Sequence, residues 1–576
     1  MMLKDKLINF LERYIYLSGI KKTPKEFLRE ATYNLLALAA ASCILAVVIA
    51  LLTLNVVPSP VPPETLQYFA YLAPLPLIVG IFLFFEPYFR ALEHMRGAER
   101  ELPYVSALMT TYAANGIMPH VALERIRTRH RDLFVHFSKL AERIMLIRSL
   151  FVTDEIEAME VEGRRVVSPV LTDLLLSCAS VERRGGDIYV ILREKMRSIF
   201  HGLRENYKSL ANRLSFIGDV LLVFYGVMPL MMYTMFALFA SEQLAYQAIF
   251  YSLIVNPLLG VALVYLIESM VPKTPVKYTE YYYQLLRWMP LSVVVFLAFF
   301  AAQLQGIIKP KEGVLSGFPW TGVALAASAI AVSVPVAVRY VSRNMYLTSI
   351  DYALPSFVRD VAEEVKKGST PSLAVVTLAK IRSYGSSLDR IVKKIATAIE
   401  AGRTFEESCR LVMDEVSWYC RMSLTLMVEA DLMGAKPEVF DEVAEVTREI
   451  IDSIKVARAS VAPLKFFGLI TAALVIGITA MLVRQVLEPV ANMSQTLYAA
   501  AASLPSLAGG LGVQLVTPEL LPSLVNIVMA GSVVNTILMG LMTGKMTDGT
   551  LAGGFLYVII NSIISIGMIV FFFLLL

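Results

Sequence analysis

Nine stretches of this 576-residue chain are apolar for long enough to cross a hydrocarbon core of about 30 Å. They lie near residues 35–57, 67–85, 214–240, 246–268, 288–305, 319–340, 464–487, 522–543 and 553–576. Inside a bilayer each segment has to satisfy its own backbone N–H and C=O groups, so each run reads as a helix. Hydrophobic residues make up 56% of the chain, charged residues only 17%, and the mean hydropathy of +0.62 lies outside the soluble range. The expected fold class is therefore an all-α polytopic membrane protein of about nine transmembrane helices.

Two charge-rich blocks, 87–213 and 341–463, interrupt the apolar runs, and each is long enough for a soluble helical-bundle domain. Residues 1–34 carry Lys4, Lys6, Arg13, Lys21, Lys22, Lys25 and Arg29, too many charges for a signal peptide. Within them Leu7, Ile8, Phe10, Leu11, Tyr14 and Ile15 have helical spacing, which suits either the inner membrane surface or a helix packed on the first charged block. The chain thus divides into 1–34 (amphipathic), 35–86 (two spans), 87–213 (domain 1), 214–340 (four spans), 341–463 (domain 2) and 464–576 (three spans).

Lys and Arg are retained on the cytoplasmic side of a membrane, and this sets the expected orientation. With the N-terminus inside, both charged blocks are cytoplasmic, and of 52 Lys and Arg residues only Lys309 and Lys311 fall in outer loops. Nine spans then leave the C-terminus outside. The localisation expected is the cell membrane, multi-pass.

A signature in the first block recurs in the second. Leu102-Pro103, Gly116, Pro119 and Ala122 are matched 252 residues later by Leu354-Pro355, Gly368, Pro371 and Ala374, with identical gaps. Glycine suits a helix end and proline the first turn of the next helix, so each copy reads as helix, turn, helix. A looser match pairs Glu182 and Gly185 with Asp431 and Gly434, an acid three residues before a glycine turn. Both copies have the same orientation, which makes this a parallel internal duplication rather than the inverted repeat of many transporters.

The chain shows no expected catalytic residue, cofactor or metal site. Its four cysteines include no CxxC pair, and none of the five histidines stands three or four residues from another, so they read as surface side chains. Gly540-Leu-Met-Thr-Gly544-Lys545 has three residues between its glycines where a phosphate loop needs four. It reads as a helix end with a cytoplasmic lysine.

Taken together, Gly116-Ile-Met-Pro119-His-Val-Ala122-Leu123, the Glu182-x-x-Gly185 turn and the Gly402-x-x-Phe405-x-x-Ser408 pattern resemble the type II secretion system F domain. Two such domains in one chain with about nine spans most resemble the archaeal FlaJ-like platform proteins of type IV pili and archaella. The resemblance implies a membrane platform coupled to a hexameric secretion ATPase. It would help insert pilin-like subunits into a filament, with membrane lipids around it and no nucleic-acid partner. Because the duplication makes one chain equivalent to two single-domain platforms, a homodimer of chains is left open.

Arg125, Arg127, Arg129 and Arg131 form a basic run suited to an acidic rim on the ATPase or to anionic headgroups; flanking Glu124 and Asp132 suit a solvated helix face equally well. Asp219 falls inside the third span, where an unpaired mid-bilayer carboxylate costs about 3 kcal/mol. It suits either a role in coupling the domain to the membrane or a local pair with Arg213. Asn256, with Asn526, Asn535 and Asn561, is suited to hydrogen bonds between spans. The rival reading is a membrane permease that borrows an ATP-binding subunit, although two large protruding domains exceed what short coupling loops require.

Overall fold

The computed structural model describes residues 12, 14–20, 22–53, 75–151, 154–229, 231–232, 234, 251, 255–270, 279–304, 318–487, 489 and 521–575. Among these all regular structure is helical. The helices of the first block and its flanks are α1 (Pro24–Thr53), α2 (Leu75–Phe84), α3 (Glu86–Ala114), α4 (Pro119–Arg129), α5 (Val135–Phe151), α6 (Glu155–Arg165), α7 (Pro169–Arg184) and α8 (Ile188–Leu222). There follow α9 (Asn256–Met270), α10 (Thr279–Leu304), α11 (Trp320–Lys366), α12 (Pro371–Ile381), α13 (Ser386–Glu400), α14 (Phe405–Arg410) and α15 (Trp418–Leu432). The chain closes with α16 (Pro437–Val461), α17 (Pro463–Leu482), α18 (Leu521–Asp548) and α19 (Leu551–Val570).

Local chemistry explains many of these boundaries. Proline leads α4, α7, α12, α16 and α17, where its missing N–H has no helical partner to lose. Ser168, Thr370 and Ser417 cap α7, α12 and α15 through side-chain oxygens, and Thr404 with Glu407 forms a reciprocal capping box at α14. Pro103 and Pro355, by contrast, lie inside the continuous helices α3 and α11.

Two compact units emerge. The first combines Met1–Leu203, Leu354–Tyr384 and Ile391–Glu449, and the second combines Arg204–Ala353, Gly385–Arg390 and Ile450–Leu576. The charged blocks expected as two domains, 87–213 and 341–463, therefore contribute to one unit. The reason lies in α15, where every residue from Trp418 to Ala430 except Arg421 is buried. A helix buried on nearly every side needs cover from several directions, and both blocks supply it. Tyr104 of α3 and Phe134 meet the Trp418 ring edge-on, at centroid separations of 4.6 and 6.2 Å, and the Trp418 indole donates to Leu133 O. Residues from both blocks thus share one core.

The described part of the N-terminal segment packs on the first block. Leu17 is buried, its carbonyl accepts from Arg143, and Tyr16 donates to Glu162. The remainder of the amphipathic stretch, 1–11, lies outside the described residues.

Among the described residues, seven helices are long and apolar enough to span a membrane: Pro24–Val48, Ile188–Val227, Thr279–Ala302, Trp320–Lys366, Pro437–Gln485, Val525–Asp548 and Leu551–Phe573. These answer seven of the nine expected runs. The other two, 67–85 and 246–268, contain α2 and the start of α9, described helices of 10 and 15 residues that are too short to be counted. Most of the rest of those runs, the links 58–64 and 305–317, and most of the loop before α18 lie outside the described residues.

Within the second unit, α18 is the central helix. A Cβ on Gly544 would overlap the Gly554 backbone, and one on Gly540 would lie 2.7 Å from Val558 N, so α18 and α19 touch main chain to main chain. Small residues permit this approach, which matters in lipid because helices there associate by packing and not by a hydrophobic drive. Gly540 and Gly544 are thus packing glycines, and Lys545 pairs with Glu268 of α9. Around this pair of helices, Leu214, Ile217 and Leu221 of α8, Leu263 and Ile267 of α9 and Val475 of α17 form an apolar core. Gly544→Ala is therefore expected to destabilise the purified protein by about 2 kcal/mol or more through overpacking. Gly567→Ala, where nothing lies within 4 Å, should leave the thermal transition in detergent nearly unmoved.

Candidate functional site

All four sequence-matched glycine turns have the same backbone chemistry. Gly116, Gly185, Gly368 and Gly434 take φ of +76°, +72°, +97° and +61°. After each, the next N–H reaches five residues back: Ile117 to Tyr112 O, Gly186 to Val181 O, Ser369 to Glu364 O and Ala435 to Ala430 O. This is the Schellman arrangement, which satisfies carbonyls a helix end would otherwise orphan. Pro119 and Pro371 then open the following helices.

The first two turns are brought together. His120, one residue after Pro119, pairs with Glu182, three residues before Gly185. In the second copy, burial pushes the Asp431 carboxyl above its ordinary value.

The acid that meets the basic run is not Asp431 but Glu429, one turn earlier than Met433 on α15 and 1% exposed. Tyr112 of α3, itself fully buried, donates to Glu429 Oε2 at 3.0 Å and lies 3.1 Å from His130 Nε2. Arg129 Nε and His130 Nε2 each lie 3.2 Å from Glu429 Oε1, close enough for charge pairing but without hydrogen-bond alignment. Arg129 also pairs with Glu406 at 2.7 Å, and Arg125 stands 3.9 Å from Glu429 while stacking over the Tyr112 ring. Helical spacing decides which arginines take part. Arg125 and Arg129, four apart, share the inner face of α4, whereas Arg127 pairs at 3.5 Å with Glu124 and Arg131 is exposed beyond the helix end. Of the four docking candidates, two are therefore engaged within the unit.

Burial is the largest single influence on the Glu429 carboxyl and pushes its pKa up. The adjacent His130 ring, the charge of Arg129 and the Tyr112 hydroxyl together outweigh it, and the net value falls below the ordinary carboxylate value. Beside this network a cavity of about 510 Å³ is lined by Asn115, Ile117, Arg125, Thr128, Arg129, Leu432 and Met433. A second junction between the blocks uses Arg193 of α8, which meets Glu442 at 2.9 Å and Glu445 at 3.3 Å, with Arg197 on Glu445 at 2.9 Å.

Three of the five histidines depart from the expected surface role, while His201 is exposed. His130 is buried, and His94 and His136, 42 residues apart in sequence, bring their Nδ1 atoms to 3.2 Å. Burial, with Lys139 and His136 nearby, holds the His94 pKa down to about 4. Beneath them Glu101, 4% exposed, accepts the N–H groups of His136 and Phe137 at the start of α5, and burial lifts its pKa to about 7.

In the second unit, Asn256 donates to Asn535 at 2.7 Å, Asn561 to Thr536 O at 3.0 Å, and Asn526 receives Thr321. Asp219 lies on an exposed face of α8, and no pair with Arg213 forms.

Replacing Arg129 by Gln leaves a buried carboxylate short of its best-placed cation, and is expected to cost about 3 kcal/mol of unfolding stability. Arg131→Gln should change it by less than about 0.5 kcal/mol. The Glu429 contribution has a definite pH sign. Its folded pKa is depressed, so the stabilisation is complete above its unfolded value of 4.5 and is lost as pH falls through the folded value. Unfolding curves of the native chain and Glu429→Gln should accordingly differ most near neutrality and converge in acid.

Compared with protein-family models, with curated proteins and with solved structures, the chain finds no match in any of the three.

Proposed function

We propose that this chain is a membrane platform protein of a type IV pilus, archaellum or related secretion filament, in which a cytoplasmic secretion ATPase acts on the charged blocks and the spans assist insertion of pilin-like subunits. The observation that carries the reading is the shared geometry of the paired turns. A left-handed glycine followed three residues later by a helix-opening proline occurs at Gly116–Pro119 and at Gly368–Pro371, in the register the sequence repeat requires. An internal duplication of an F-type domain explains both the register and the geometry. The charged blocks, facing the cytoplasm under the positive-inside rule, are the surface on which the ATPase works.

Docking on the basic run falls to Arg127 and Arg131, since Arg125 and Arg129 hold Glu429 and Glu406. Reversing Arg127 and Arg131 to Glu should weaken ATPase binding in a salt-dependent way while leaving the unit folded. Unchanged affinity at low salt would remove the basic run from the docking surface. The reading as a whole is tested by gentle purification of the tagged chain from its native membrane and mass spectrometry of what stays bound. A hexameric secretion ATPase with pilin-like subunits is expected; an ABC-type ATPase or a solute-binding protein would make the chain a permease.

A further inference from the structure

The membrane-facing part of α8 has two unlike sides. Leu214, Ile217, Leu221 and Tyr225 are buried in the apolar core of the second unit, and Gly218 lies under the Phe467 ring. The opposite side, Ser215, Phe216, Asp219, Val223 and Val227, is exposed. Phe216, Val223 and Val227 are 66%, 50% and 43% exposed, so Asp219 stands in the middle of an uncovered apolar strip.

Among the described residues no cation pairs with Asp219. Arg213, the last basic residue before the span, is six positions earlier, about 9 Å along the helix and about 120° around it, and so lies on a different face. The outer face of α17 is unlike this one. On α17 the exposed strip Phe466, Ile470, Leu474, Ile478 and Met481 is apolar throughout, as a surface meeting only acyl chains should be. One turn beyond Asp219 the helix widens into a π-helical turn, Val223–Val227, and the Tyr225 hydroxyl donates to Asn256 O at 2.9 Å.

We infer that this strip is the docking surface for one apolar membrane helix of a partner protein, and that a basic group on that helix neutralises Asp219. Charge and depth select the occupant together. Acyl chains offer a carboxylate nothing, whereas membrane helices carry Lys and Arg at their cytoplasmic flank. Their long stems lie along apolar surface while the charged end reaches a partner. Asp219, about one and a half turns inside the last arginine of its own helix, sits at the depth such a group reaches. Phe216, Val223 and Val227 supply the apolar contact on either side.

The test uses the full chain in its native membrane, with a photoreactive residue placed at Phe216 or Val223 and, as control, at Ile470. One membrane protein should be captured from the first two positions and not from the third, and its cross-linked peptide should be apolar with a Lys, Arg or free amino terminus at its cytoplasmic end. Asp219→Asn should lower the yield by about tenfold or more, and Asp219→Glu should retain it. Capture of lipid alone, capture of a second copy of this chain, a partner peptide without a basic group, or an unchanged yield with Asp219→Asn would each overturn the inference. The captures at 216 and 223 leave Asp219 unaltered and decide the matter even where the Asn variant is not produced. A pilin-like partner would support the platform reading as well. Another partner with the same basic helix would sustain this inference while counting against that reading.

Discussion

A carboxylate that is 1% exposed cannot stay charged unless cations and hydroxyls surround it, and Glu429 obtains every one of them from the other charged block. Tyr112, Arg125, Arg129 and His130 all belong to the first block, more than 290 residues away in sequence. An arrangement of this kind does little for net stability when compared with a well-packed apolar core. It is strict about geometry, however, because misplacing either block strands the charge. Together with the Trp418 core and the Arg193–Glu442 junction, it joins the two charged blocks into one unit.

The second unit is organised by different physics. Its central pair, α18 and α19, is brought to main-chain contact by glycines, and buried Asn, Ser and Thr side chains link neighbouring helices. Its charges are used sparingly. Lys545 is matched by Glu268, and Arg484 donates to Phe572 O. Asp219 stands on an exposed apolar strip of α8, and for that reason its surroundings point outward.

Short-range chemistry was legible in the sequence. The glycine turns, the proline-led helices and the asparagines that bond between spans follow from residue type and spacing, and Gly116, Gly185, Gly368 and Gly434 all adopt the left-handed turn their positions imply. Pairings across hundreds of residues were not legible. Alignment of the copies singled out Asp431, yet Glu429 two residues earlier meets the arginines, because which face of α15 looks toward α4 is set by packing. The i, i+4 spacing of Arg125 and Arg129 was the one available hint that these two act together. The histidines misled for the same reason, since local spacing says nothing about His94 and His136 meeting through folding. The contact made by Gly540 and Gly544 was not legible either, because it appears only when Gly554 lies opposite.

The claim that the two charged blocks form one cooperative unit through Glu429 is tested most directly by a double-mutant cycle. Unfolding free energies of the native chain, Arg129→Gln, Glu429→Gln and the double variant give the coupling between the two side chains. A coupling of about 1.5–3 kcal/mol is expected for a buried charge pair of this kind. Additive effects, with a coupling within about 0.5 kcal/mol of zero, would mean that the two blocks hold together without this contact.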